Sequence, residues 1–578
     1  MTSAHLANRL FRGAALAIAL AALGFTVWLV AAERSWNEAN APQPTPAAAF
    51  INGSIGTELA PLVAFEVLPD LFPDEFHPLD RLKNQPNGTH GDWIDQYGFI
   101  RKSLAPAENN DGTPLPVGFV LSHHRPATGA PSPVPFVGLS CAACHSAEIR
   151  ADASKPGVVV YGVGNPTMNL LAFSEALRGV FSKKRVDDQS ASEYVLTLEA
   201  IQKEQAKRGR TLTILEQTMV ALWIRAARAE QLRYAEVIDD PLPPEQLFDP
   251  QWMPAGPART QPFRSLVRVH LNRPGMSARA AMPDQGFSKI PVVYFQAHEY
   301  HGDWAQFDGS VKNIVARSTF AASTAGANVN NLSVKDLAAN IYAAAEYTEK
   351  LAPPKWADVF GQLPDREKAA SGRAVYRDNC YGCHGGPDDR NGWTHADVTN
   401  QKYRFGEVVP LSDLGTDPER VTFRHAAEVT QVLFDEFNTD FRKDHPLGTF
   451  TKDELRANVG NRAGYYNGPI AGAFLRAPYL HNASVLTLAE LIGLESRRAK
   501  FYRGRNPYDL ARVGYQSPAV EAIAPTDSNY YFLFDTNIRG NSNRGHRYPS
   551  WAFPPDGHPV DPKRRLELEN LLEYLKSL

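Results

Sequence analysis

All four cysteines of this 578-residue chain fall in two copies of one pattern. The first is "LSCAACHSA", residues 139–147, and the second is "NCYGCHGGPDD", residues 379–389; both contain Cys-x-x-Cys-His. Two cysteines three positions apart on a short turn reach both vinyl groups of one haem, each closing a thioether. A histidine directly after the second cysteine then lies under the iron as its proximal ligand. On this reading Cys141, Cys144 and His145 hold a first haem c, and Cys380, Cys383 and His384 hold a second. Other uses of the pattern fit less well. Four-cysteine zinc sites place their pairs ~15–20 residues apart, and Cys144 and Cys380 stand far beyond that. A thioredoxin-like redox pair needs no histidine at the next position. A disulfide across Cys-x-x-Cys closes a tight loop of little structural value.

Export agrees with haem c, which is attached outside the cytoplasm in bacteria. Arg9 and Arg12 precede an uncharged apolar run, Gly13 to Ala32. This reads as a signal peptide with small residues near a cleavage point, or as a retained anchor, since ~20 apolar residues cross a bilayer. The leading positive charge places the bulk of the protein in the periplasm or cell exterior, anchored in the inner membrane if the helix stays. A net charge of -3 and a pI near 6.6 argue against a nucleic-acid partner.

The expected fold class is mainly α with long loops: two cytochrome c-like haem domains after an N-terminal signal or anchor helix. Residues 1–35 are the signal or anchor, and 36–60, including "NEANAPQPTPAAAF", read as a Pro/Ala linker. Residues 61–352 form the first haem domain and 353–578 the second, with the prolines of "LAPPKW" at the boundary. Prolines and a glycine before Cys141 predict a loop or strand leading into the first motif. Helical apolar spacing predicts helices in "MNLLAFSEALRGVF", "LEQTMVALWIRAARAEQLRYAEV" and "SVKDLAANIYAAAEYTEKL", the last opening on a capping box of Ser333 and Asp336. A helix carrying Gly372 and Tyr376 leads into the second motif. A terminal helix is capped by Asp561, starts on Pro562 and carries a stripe of Leu568, Leu571, Leu572 and Leu575.

"LPVGFVLS" followed by "FVGLSCAACH" resembles the start of di-haem proteins related to bacterial cytochrome c peroxidase, in the rubber-oxygenase-like, di-haem dioxygenase branch. "FLRAPYLHNASVLTLAELI" resembles an element of that superfamily. "FLFDTNIRGNSNRGH" with the terminal "LLEYLKSL" resembles the branch's own ending. The resemblance covers most of residues 60–578 and is densest at the two motifs and after 460. It implies an extracytoplasmic haem-dependent oxidoreductase with one six-coordinate haem and one that binds oxygen or peroxide. Known members of the branch cleave polyisoprene with dioxygen or dioxygenate monounsaturated fatty acids. The peroxidase relatives reduce hydrogen peroxide with electrons from a small cytochrome.

In those peroxidases the second haem takes a downstream methionine. Here the last methionine is Met282, so a histidine is the expected replacement, which favours the oxygenase branch. The resemblance places that ligand at His546, with His481 as runner-up. It makes the first haem the reactive centre. Its distal wall is expected in "FQAHEYHGDWAQFDGS", with Trp304 and Phe307 lining an oxygen pocket, or with His298 and His301 as a polar pair that would split peroxide instead. Arg476 is expected to pair with a haem propionate. The leading expectation is thus a dioxygenase acting on a carbon–carbon double bond of an apolar substrate, polyisoprene or an unsaturated fatty acid. A di-haem peroxidase and a membrane-tethered electron carrier are the alternatives. Bound calcium is left open.

Overall fold

A computed structural model describes residues 45–101, 115–181, 196–235, 242–262, 286–297, 314–332, 334–388, 393–394, 405–422, 464–522, 529–554 and 560–578, together with Ala21, Gly24, Phe25 and Trp28. Strand Pro131–Leu139 is the centre of the part that carries the first motif. It pairs antiparallel with Ala60–Pro61 on one side and Phe119–His124 on the other, so that Val137 faces both Ala60 and Leu121. Phe136, Val137 and Leu139 are all buried. A short apolar run without strict alternation is what a strand covered on both faces needs. One side of the cover is an aromatic cluster: the Phe99 ring meets Phe119 and Phe173 edge-on, each at 4.9 Å, and Trp93 stacks on Phe173 at 5.7 Å. Each such pair contributes about 0.5–1.5 kcal/mol beyond its buried area. The strand runs straight into Ser140 and Cys141, so this packing fixes where the first motif sits.

The expected helices form. Asn169 caps Leu170–Gly179, and a 22-residue helix spans Ile214–Ala235; a further helix that the sequence analysis did not name, Leu198–Lys207, is capped by Thr197. Helix Lys335–Lys350 buries Leu337, Ala338, Ile341, Tyr342, Ala344 and Ala345 at helical spacing. It starts from Val334 without a side-chain cap; Ser333 lies outside the described residues, and Asp336 sits 3.2 Å from His124 Nε2. The reading of residues 36–60 as a linker needs correction in its second half. Thr45 caps a helix, Pro46–Asn52, with Pro46 in its first turn, and Phe50 is buried with its ring 5.0 Å from that of Tyr347. An apolar side chain with a matching pocket outweighs the Pro/Ala composition around it. Of the run Gly13–Ala32, only the four residues named above are described, as helical and exposed; among the described residues no helix is long and apolar enough to cross a membrane.

In the C-terminal part, Asp365 caps helix Arg366–Asn379, and Asp561 caps helix Pro562–Lys576 with Pro562 at its start. Leu568, Leu571, Leu572 and Leu575 are buried. The two helices cross at Gly372, where a Cβ would lie 2.0 Å from Asn570 O, so only glycine lets the backbones meet this closely. One turn on, the rings of Tyr376 and Tyr574 lie 5.2 Å apart. The connections are richer than long loops. Among the described residues one three-stranded and six two-stranded antiparallel sheets accompany the helices. The boundary near 353 also does not separate two cores. Phe65, Phe173, Tyr294, Trp356, Tyr376, Phe474 and Leu571 belong to one contiguous buried cluster. Polar contacts cross as well: Arg503 donates to Pro166 O at 2.6 Å, Tyr508 N to Arg150 O at 2.6 Å, and Arg505 pairs with Asp95.

Replacing Gly372 by valine forces the helix crossing apart. The expected loss of stability is about 1–3 kcal/mol, the usual cost of overpacking. It is read as a lowered thermal unfolding midpoint; an unchanged midpoint would show that the crossing is not under that constraint.

Candidate haem cavity

The first motif is set by backbone bonds at both ends. Ser140 N donates to Gly118 O at 2.8 Å and Ser140 Oγ to Ile51 O at 2.7 Å. Cys141–Cys144 is one helical turn, closed by His145 N donating to Cys141 O at 3.0 Å. The second motif grows out of the end of helix Arg366–Asn379, and Tyr381–His384 makes the equivalent turn, closed by His384 N to Cys380 O at 3.0 Å. Tyr376 OH donates to Gly385 O and Trp393 Nε1 to His384 O, each at 2.7 Å. Both motifs open on one cavity of about 890 Å³.

The two histidines are oriented in the same way. His145 Nδ1 lies 3.0 Å from Pro291 O, and His384 Nδ1 lies 2.9 Å from Gly468 O. A carbonyl only accepts, so each Nδ1 carries the proton and each Nε2 keeps its lone pair. Burial lowers the pKa of both rings, that of His145 to about 4. Neutral imidazoles with a bare Nε2 and a backbone partner on the other nitrogen are what metal ligands require. Burial also raises the thiols, Cys141, Cys144 and Cys380 each to about 12. Such surroundings suit an uncharged sulfur, as in a thioether, better than a thiolate.

His546 faces His384, with ring centres 6.1 Å apart. A metal ion bonded to one nitrogen of each ring at about 2 Å would need the ring centres about 6 Å apart. His546 Nδ1 is buried with no hydrogen-bond partner among the described residues, and burial, with the nearby His384, lowers the ring's pKa to about 3. The loop that carries His546 is held on both sides. Arg497 donates to the carbonyls of Asn543, Gly545 (2.8 Å) and His546 (3.2 Å), and Asn482 to those of Gly540 and Ser542. His546 N donates to Leu414 O at 2.8 Å. Gly545, at φ +75°, lies against Gly415, where a Cβ would come within 2.3 Å of backbone.

His481 does not face the second motif in this way. It stacks on Tyr465 at 4.1 Å, and Tyr465 OH lies 2.8 Å from its Nε2. That hydroxyl spends its proton on Asp417 O at 2.7 Å, so His481 Nε2 donates to it and offers no lone pair. Arg476 does line the cavity. Trp304, Phe307, His298, His301 and Met282 lie outside the described residues, as do His395, His425, His445 and His558.

No three His, Cys, Asp or Glu side chains converge as a metal site among the described residues, and the two cysteine pairs do not meet. A porphyrin supplies four ring nitrogens of its own and asks the protein for axial ligands alone, so the one-histidine and two-histidine arrangements fit haem. The apolar part of the cavity wall includes Phe50, Ile55, Leu170, Ile290, Val292 and Phe320. Residues with no sequence signal complete the site: the carbonyls of Pro291 and Gly468, the Arg497 clamp, and Lys289.

No family model matches the chain. An uncharacterized protein of Sinorhizobium fredii, y4iJ, is 24% identical to it over 569 residues, 87% of each chain. A second uncharacterized protein of that organism, y4iM, is 29% identical over 329 residues, which span 51% of this chain and 65% of that relative.

Arg497→Gln removes the clamp on the His546 loop. Bonds from a charged donor contribute roughly 1.5–3 kcal/mol each. Amide exchange over residues 540–549 is therefore expected to quicken about tenfold or more; unchanged exchange would mean that the loop is held without Arg497.

Proposed function

We propose that the protein is an extracytoplasmic di-haem c oxidoreductase, a dioxygenase that adds O2 across a carbon–carbon double bond of an apolar substrate. The observation that carries the two-haem part is the pair of imidazoles of His384 and His546, set one metal ion apart beside Cys380 and Cys383. Cys141, Cys144 and His145 would hold the first haem, and Cys380, Cys383, His384 and His546 would hold the second. The helix crossing at Gly372, directly before the second motif, is also the arrangement expected of a cytochrome c-like domain.

Haem, when bound, would supply the dioxygen chemistry that amino-acid side chains lack. The chain's own part is binding and exclusion. Pro291 O keeps the His145 ring turned toward the cavity. Phe50, Ile55, Leu170, Val292 and Phe320 would exclude water and hold an alkene by apolar contact. A histidine in place of methionine opposite His384 supports the oxygenase reading over the electron-accepting peroxidase, because it lowers the potential of the second haem. Both oxygen atoms are expected in the product, with no external reductant in the net reaction.

In the reduced protein carbon monoxide should bind one haem of two, and in His546→Ala it should bind both. Incubation with labelled dioxygen and oleic acid or polyisoprene should put label into the product. Two haems that both refuse carbon monoxide would identify a carrier. Absence of label from every unsaturated lipid and polymer, beside rapid peroxide turnover with reduced cytochrome c, would replace the dioxygenase by the peroxidase.

A further inference from the structure

Two cations line the cavity with no anionic partner among the described residues. Lys289 comes from the short pair Arg259–Thr260/Ser288–Lys289, and Arg476 ends the 3-10 turn Ala473–Arg476, from the other side of the 353 boundary. Both line the cavity. Lys289 Nζ donates to Arg476 O at 2.8 Å and to Pro478 O at 3.1 Å, which leaves one of its three N–H bonds. It also lies 5.9 Å from the centre of the Tyr479 ring. Arg476 Nε and Nη2 both donate to Ala471 O, at 3.0 and 2.9 Å, which leaves its Nη1 end without a partner among the described residues. No carboxylate among the described residues pairs with either side chain.

Neutral carbonyls orient these cations but do not neutralise them. Burial, and their mutual repulsion, lower the Lys289 ammonium to about 7, and burial lowers Arg476 to about 10. A like-charged pair out of bulk water is costly until an anion joins it. The walls around the pair are otherwise largely apolar, with Ile290, Val292, Ala473 and Tyr479 beside them. A simple hydrated anion gains nothing from such walls, whereas a carboxylate on an apolar body gains from both.

We propose that Lys289 and Arg476 together form a carboxylate-binding site on the wall of the cavity, for the acid group of an otherwise apolar ligand. Two sources share this chemistry. One is a propionate of a bound haem, which rests on the two-haem reading. The other is the head group of a long-chain fatty acid, which does not. Arg476 offers its free guanidinium edge, and Lys289 adds the remaining N–H from the opposite segment.

The test uses the full-length protein as purified, with haem content checked first, and its Lys289→Met, Arg476→Gln and Lys289→Arg variants. Calorimetry compares oleate with oleyl alcohol, which lacks the carboxylate. Oleate binding about tenfold tighter than the alcohol, with the difference lost in Lys289→Met and Arg476→Gln and kept in Lys289→Arg, assigns the site to the substrate head. Equal binding of the two probes, with a shifted midpoint potential of one haem in Lys289→Met but not in Lys289→Arg, assigns it to a propionate. Variants that alter neither probe selectivity nor any midpoint potential overturn the proposal, and so does a Lys289→Arg variant as defective as Lys289→Met. A preparation without two haems would sink the two-haem reading, and the oleate comparison would then decide this proposal alone.

Discussion

Two neutral imidazoles facing each other across 6.1 Å at the wall of one cavity are the constraint to which the C-terminal part of the protein is built. Left to themselves, buried rings with bare nitrogens would hydrate or turn toward the nearest donor. Here His384 is locked by Gly468 O, and the His546 loop by Arg497, which donates to its carbonyls, and by Leu414 O, which accepts from His546 N. Gly545 against Gly415 brings the loop close enough, and Gly372 against Asn570 sets the turn of the second motif on the terminal helix. Each device acts on position. Together they keep a gap that matches two bonds to one metal ion.

The first site is built on a strand and the second on a helix, yet the same two tasks are met. One helical turn presents both sulfurs and the histidine on one side, and a backbone carbonyl from a distant segment fixes the ring. Those carbonyls come from the far ends of the chain's own crossings: Pro291 reaches His145, and Lys289 beside it reaches Arg476 and Pro478. The segment around residue 290 therefore touches both halves of the cavity. With the shared core across residue 353, this makes the two halves one mechanical body rather than two beads on a string.

Local chemistry was legible in the sequence; long-range geometry was not. Cap, proline and leucine stripe placed the helix at 562–576, and the prolines before Cys141 pointed away from a long helix there. The Pro/Ala stretch misled because composition says nothing of a pocket waiting for Phe50. His546 was named through a resemblance; its six-ångström relation to His384 could be seen only in three dimensions. Lys289 and Arg497 carried no signal at all, since a lone cation in a sequence is most often a solvated one. Their meaning arises from burial and from partners tens to hundreds of residues away.

The two-haem reading depends on carbon–sulfur bonds at both cysteine pairs. The direct measurement is mass spectrometry of protein matured in a host competent for haem attachment, then denatured and extracted with acidic acetone. The account predicts that colour stays with the polypeptide and that the peptides holding Cys141–Cys144 and Cys380–Cys383 each carry one haem. Colour released into the solvent, or both peptides found with free thiols, would contradict it.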